Sequence, residues 1–398
     1  MSEINSSNFK KEHGDLAPDL VGVTELTSPY FFVPPSGTTG ERPEDCEPGT
    51  LRFNTDIGSL EIFRGKTIGW EQIQRREGQY LGGDSASSVI TTSTNSNRGT
   101  GTRAVIFGGQ LQSSPSPIVN TINFLTIEIQ GDATDFGDLA HAESSMAATS
   151  DNTRILSIGG SSNHPSQINT IEKMTIASTG NASDFGDAIT ACTHNPYGGG
   201  NRTRGVYGGG GSPSNVNTLE YVTIQSEGNG VDYGDLVATG AFRRGNAGST
   251  TRGIIFGNYA PGGDSNSNHN TIDFITFSTT GNASDFGDLT STFSDATGSS
   301  NCIRAVRYGK WPTAGMIDFV TIATTGNAID FGDMLDDAYH TTSATNPTRM
   351  LNIGGAGKTY YNSIEFITIM TTGNGQDFGD LAYSPRGAGA NSNGHGGL

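Results

Sequence analysis

The sequence predicts an all-β protein: a six-bladed β-propeller of four-stranded blades, preceded by an extended arm and a small β-meander. Three observations carry that prediction. The motif Asp-Phe/Tyr-Gly-Asp recurs six times, each copy follows a run of alternating apolar and polar residues, and each run follows an arginine, a short apolar stretch and a glycine. Successive copies of the closing aspartate are 49, 48, 53, 45 and 47 residues apart. That period matches propeller blades of four short strands and is too long for the coil of a solenoid.

The arm comes first, over residues 1–48. Pro18, Pro29, Pro34, Pro35, Pro43 and Pro48 interrupt it and it shows little periodicity, so it is expected to run extended along another surface. Residues 49–78 form the meander. Leu51-Arg52-Phe53-Asn54 and Ser59-Leu60-Glu61-Ile62-Phe63 flank a Thr-Asp-Ile-Gly turn, and a third strand starts at Trp70. Three short strands bury little by themselves, so this module is expected to need a partner or a second copy.

The propeller occupies residues 79–398. In each blade the first strand is a small-residue stretch such as Ser145 to Ser150, and the second runs from an arginine to a glycine. Those arginines are Arg103, Arg154, Arg204, Arg252, Arg304 and Arg349. The third strands are the alternating runs 121–127, 170–176, 218–224, 271–277, 316–322 and 363–369, a pattern of half-buried strands. The fourth strands hold the repeated motif, which ends at Asp138, Asp187, Asp235, Asp288, Asp333 and Asp380. Beyond Asp380, residues 381–393 resemble the start of another unit without the rest. Such a lone first strand closes a ring whose first blade begins at its second strand, near Arg103, and removes the last sheet edges. Six blades is the expectation, and seven if residues 79–100 form a further partial unit.

Composition narrows the function classes. The chain has 398 residues, 57 of them glycine, 16% charged residues and a net charge of −17. Phosphate-backbone binding rests on clustered lysine and arginine, so this acidity argues against nucleic acid. No apolar run reaches the ~18 residues that a membrane helix needs. Cys46, Cys192 and Cys302 are odd in number and far apart, which reads as free thiols rather than a disulfide framework.

No residue pattern points to catalysis or a cofactor. A kinase uses one Asp-Phe-Gly beside a paired lysine and a catalytic aspartate, whereas a motif present once per repeat reads as a structural turn, its aspartates bonding nearby amides and its glycine at positive φ. Calcium held by pairs such as Asp135 and Asp138 is the sharper alternative. Against it stands an ion pair between one aspartate of each motif and the arginine of each blade. The seven histidines fall at different phases of the repeat without zinc-like spacing. A glycosidase pair among 40 acidic residues has no residues to single it out. Recognition through loops is the default, because propeller loops vary on a rigid scaffold. Tyr259, Trp311, Tyr360 and Tyr361 are the candidate ligand platforms.

Two stretches resemble known families. Thr153 to Gly160, an apolar run closed by Gly159-Gly160, followed by Asn169-Thr170-Ile171-Glu172, resembles the kelch repeat of galactose-oxidase-type propellers. The resemblance departs where kelch has a tryptophan in the fourth strand; here stand Phe136, Phe185, Tyr233, Phe286, Phe331 and Phe378. Pro48 to Glu61, followed by the strand at Trp70, resembles a module near the N-termini of bacteriophage tail-fibre and other virion structural proteins, those of cyanophages especially. That resemblance implies a non-enzymatic virion protein, assembled in the host cytoplasm, whose residues 1–78 meet other virion proteins and which forms a homo-oligomer. Its propeller would face outward to a host glycan or protein. A capsid or vertex decoration protein without a receptor, and a glycan depolymerase, are the alternatives.

Overall fold

The computed structural model describes residues 34–43, 46–56, 59–66, 69–72, 102–113, 116–163, 166–191, 196–212, 214–237, 245–259, 268–292, 297–309 and 315–398. The chain divides into two compact units, Met1–Arg75 and Arg76–Leu398. Among the described residues both are built of strands, with no α-helix. Trp311, most of residues 1–35 and residues 79–100 lie outside the described residues.

The first unit is a four-stranded sheet. Leu51–Asn54, Ser59–Phe63 and Trp70–Gln72 form an antiparallel meander. A fourth strand, Ser36–Gly37, comes from the proline-rich segment and lies parallel to Leu51–Asn54. One face of the sheet is polar and covered: the buried Glu61 accepts hydrogen bonds from Arg42 and from Asn54 Nδ2 at 3.0 Å. Arg42 holds the Glu61 carboxyl below its usual range, outweighing the opposing effect of burial. Trp70 Nε1 donates to Pro43 O at 3.2 Å and its ring lies 5.5 Å from that of Phe63.

In the second unit each sequence repeat folds as one four-stranded antiparallel sheet, a propeller-like arrangement. The second repeat shows the pattern, with strands Ala147–Ser150, Arg154–Ile158, Thr170–Thr175 and Ser183–Asp187 in that order across the sheet. The first repeat takes its first strand from the far end of the chain. Gly389–Ser392 pairs with Arg103–Phe107, Gly389 opposite Phe107 and Ser392 opposite Ala104. Asn393 then does what a local residue does elsewhere. In the other repeats Asp151, Asn201, Ser249, Asn301 or Asn346 accepts the backbone N–H of the repeat arginine in the turn between first and second strands; here Asn393 Oδ1 accepts it from Arg103 at 2.8 Å.

The Asp-Phe-Gly-Asp motif is not a turn. It is a bulged strand: Asp135 pairs with Asn123 and Gly137 with Ile122, so Phe136 is the extra residue. The bulge sends the ring into the space between sheets, where Phe136 packs with Ile122 of its own repeat and Met146, Ala148 and Met174 of the next. The backbone is then covered by the next repeat. Phe136 O accepts from Gly180 N at 2.8 Å, Asp138 O from Ala182 N at 2.8 Å, and Asn181 Oδ1 from Asp138 N at 3.1 Å. A Cβ on Gly137 would land on the Gly180 carbonyl, which fixes glycine there at φ +152°. The same contacts recur repeat by repeat, the last one reaching the first: Phe378 O accepts from Gly131 N and Asp380 O from Ala133 N, both at 2.9 Å.

The six arginines are likewise not paired with these aspartates. Each reaches the backbone that follows the third strand of the next repeat. Arg103 Nη1 donates to Ile176 O at 3.0 Å, Arg204 to Phe277 O at 2.9 Å, and Arg349 to Ile127 O at 3.2 Å and Glu128 O at 3.1 Å. Arg154, Arg252 and Arg304 do the same at Ile224, Ile322 and Ile369. In five repeats the guanidinium also lies over a third-strand ring, 4.4 to 4.9 Å away. The second repeat has Lys173 in place of that ring, and Lys173 pairs with Glu227 of the third.

The core is split accordingly. Each apolar cluster joins two successive repeats, and one joins Leu351, Ile364 and Phe378 to Ala104, Ile106 and Leu125. Many small seams of this kind need few large apolar residues, so a chain near the compositional limit of foldability still buries its apolar side chains.

Candidate functional site: the loop-bearing end of the sheets

The sheets have two unlike ends. At one end lie the short turns between first and second strands, with the arginines just described. Residues Asn393–Leu398 cross this end: His395 Nε2 lies 2.9 Å from Ser150 O, Gly396 N donates to Ser300 O at 2.9 Å, and Arg202 Nε donates to Leu398 O at 3.2 Å. Burial lowers the His395 imidazole to about 4, so it sits there neutral. Next to it, Ser299, Thr342, Ser343 and Asn391 line a cavity of about 30 Å³. That holds a water or two and excludes a sugar ring.

At the other end, the connections between second and third strands meet those that lead from one repeat into the next. Bridges Ser144 to Ser161 and Tyr339 to Ala356 join the two kinds of connection. The approach is close enough to demand the glycine pairs: Gly108 and Gly109 have φ of +65° and +107°, and a Cβ on Gly108 would overlap Glu143 O.

Just beneath the surface of this end lies a row of buried polar residues at one position of the third strand: Asn123, Glu172, Glu220, Asp273, Asp318 and Glu365. Glu172, Glu220, Asp318 and Glu365 hold the connection arriving from the preceding repeat. Glu220 accepts the N–H groups of Ile189 and Thr190 at 2.9 and 2.8 Å, and Glu365 those of Leu335 and Asp336 at 3.2 and 2.8 Å. Their partners on the second strand differ: Tyr207 donates to Glu220 at 3.0 Å, and Arg307 pairs with Asp318 in full burial. Burial pushes Glu365 up to about 7.

One cluster resembles acid–base machinery. Ser157 Oγ donates to Glu143, His141 Nδ1 lies 2.8 Å from Glu172 Oε1, and burial, with the Glu172 charge adding to it, raises Glu143 to about 8. Glu143 and Glu172 are each 1% exposed, so neither carboxylate is open to a substrate. Among the described residues no three metal-ligating side chains converge, and the carboxylates of the repeated motif, Asp138, Asp187, Asp333 and Asp380 included, face solvent.

The candidate platforms separate. Tyr361 packs against the cluster around Tyr308 and Phe319, and burial raises its phenol; it is a structural ring. Tyr259 ends the strand Arg252–Tyr259, its backbone paired with Asn268. Tyr360 stands half-exposed on its loop. The residue that sequence reading missed is Arg386. Its Cζ lies 5.3 Å from the Tyr360 ring centroid, and its Nε donates to Gln110 Oε1 at 2.9 Å. The signal was present, because residues 381–393 start another repeat, which sets Arg386 at a repeat position.

No protein-family model matches the chain, and no curated protein matches it.

Proposed function

We propose that the repeats are the blades of a six-bladed β-propeller closed by Gly389–Ser392, and that the chain is a non-enzymatic structural protein of a bacteriophage particle. In this reading residues 1–78 attach a homo-oligomer to other virion proteins, and the propeller stands outward as part of a fibre or similar appendage. Its loop-bearing end touches the host surface. Support for closure comes from the contacts that return from Phe378, Asp380 and Arg349 to the first repeat. The virion context rests on the likeness of Pro48 to Glu61 to phage fibre modules.

The observation that carries the recognition reading is the contrast between the ends of the sheets. One is built from nearly the same residues in most repeats, and the other from loops and side-chain pairs that vary from repeat to repeat. Rigid scaffolds with variable loops are where binding sits. Labelling assembled particles with an antibody to residues 102–398 tests it: label on a tail appendage in a small multiple of three or six copies is expected. Hundreds of copies over the capsid would replace the fibre reading with decoration, and new reducing ends from host envelope glycans would replace it with a depolymerase.

A further inference from the structure

We infer that Arg386, Tyr360 and Lys358 form a binding site for an acidic sugar, carboxylated or sulfated, at the loop-bearing end. The inference rests on the recognition reading above and names its ligand class. Arg386 is held in place before any ligand arrives. Its backbone pairs with the first-repeat loop, Arg386 opposite Gln110 and Pro385 opposite Leu111. Gln110 Oε1 accepts from Nε at 2.9 Å and from Nη2 at 2.6 Å, while Gln110 Nε2 is anchored on Ser116 O at 3.2 Å. The guanidinium lies over Tyr360, whose own N–H donates to Gln112 Oε1 at 2.9 Å. Two glutamines of one connection thus fix both the cation and the ring, and the ordering entropy is met before binding.

The partner of the cation is an amide, not an acid. Among the described residues Arg386 makes no ion pair, so its charge is oriented but not neutralised, and its bonds to Gln110 use Nε and Nη2, which leaves the Nη1 donors for an anion. Lys358, exposed two residues before Tyr360, puts a second cation on the same loop. Asp336 and Asp337 on the neighbouring connection are engaged by Ser363 Oγ and Gly315 N.

The repeats provide an internal control for the structural alternative. The bridge that joins Arg386 to Gln110 recurs as Ser144 to Ser161 and Tyr339 to Ala356. Those bridges hold the same loops with uncharged side chains, so the fold does not require an arginine at this position. On a chain of net charge −17, a fixed and unneutralised guanidinium stacked on tyrosine suits a ligand that offers both an anion and a sugar face.

Calorimetric titration of the full chain tests this with four probes: tetragalacturonate, its methyl ester, a sulfated cellotetraose and plain cellotetraose. Binding of tetragalacturonate or of the sulfated sugar is expected, with the matching neutral probe at least ten-fold weaker. Which of the two binds separates carboxylate from sulfate. Arg386→Ala should weaken that binding at least ten-fold with an unchanged melting temperature, and Arg386→Lys should recover only part of it. If Arg386→Ala fails to fold, Arg386→Lys measured against the acidic and neutral probes decides. Equal affinity for charged and neutral probes, no binding of either anion, or unchanged affinity in a folded Arg386 variant overturns the inference. None of these results alters where the protein sits on a particle, so the virion reading stands or falls separately.

Discussion

The two ends of the sheets solve the same mechanical problem in opposite ways. Both must hold each repeat to the next. At the turn end the solution is one arginine on the following backbone, and along the seam away from it a bulged aromatic and a glycine against a glycine, repeated with little change. At the loop end the side chains diverge: within a repeat Tyr207 meets Glu220 and Arg307 meets Asp318, while between a repeat and the connection that enters it Ser157 meets Glu143 and Gln110 meets Arg386. Uniformity marks positions whose geometry admits few side chains. Divergence marks positions where the scaffold is already secure and side chains are free to answer to something else.

Breaking the uniform seam where first and last repeats meet should have the largest effect. Removing residues 389–398 strips the first strand from the sheet of Arg103–Phe107 and leaves an open edge; loss of the cooperative thermal transition in circular dichroism is expected. A melt indistinguishable from the full chain would mean that this strand does not complete the ring. Phe378→Ala comes next. Its ring is 2% exposed and fills the seam to the first repeat, so urea denaturation should show a loss of about 3–5 kcal/mol.

Much of the fold was legible because the repeat repeats. Strand order, the arginine-to-glycine strand and the C-terminal strand all follow from period and alternation. The bulge did not, because Asp-Phe-Gly-Asp carries residues typical of turns, and only the pairing of Asp135 and Gly137 with successive residues of one partner strand reveals a strand with an extra residue. Nor did the arginine contacts: six arginines and twelve aspartates in fixed register suggest ion pairs, yet a half-buried guanidinium is equally well met by carbonyls at the end of a neighbouring strand. The site was the least legible. Tyr360 stands out as an aromatic in a loop, while Arg386 becomes notable only when it is seen on Tyr360 with a glutamine for a partner.

The two ends should respond to pH in opposite directions. Glu143 is raised from 4.5 to about 8 in the folded chain. Its protonated form is the one the fold favours, so the contribution is fully present below pH 4.5 and is lost as pH rises through 8. Glu143→Gln should therefore be near neutral at pH 5 and stabilise by about 4 kcal/mol at pH 9; equal effects at both values would show that the carboxyl is not protonated in the fold. His395 acts in the opposite direction, since its neutral form is favoured and stability falls as pH drops from 6.5 toward 4. The smallest expected effect compares two arginines. Arg349→Ala loses two carbonyl contacts and the Phe366 ring, about 1–2 kcal/mol, whereas Arg154→Ala, with Lys173 where the ring would be, should lose about half as much.

The central claim is that the repeats close on themselves, and amide hydrogen exchange at Gly131 and Ala133 tests it most directly. Their N–H groups bond to Phe378 and Asp380 across the junction of last and first repeats, as Gly180 and Ala182 bond to Phe136 and Asp138 within the series. A closed ring predicts that both pairs exchange with the same protection, close to that of global unfolding. Exchange at Gly131 and Ala133 a hundred-fold or more faster than at Gly180 and Ala182 would mean that the junction opens by itself and that the ring is not closed.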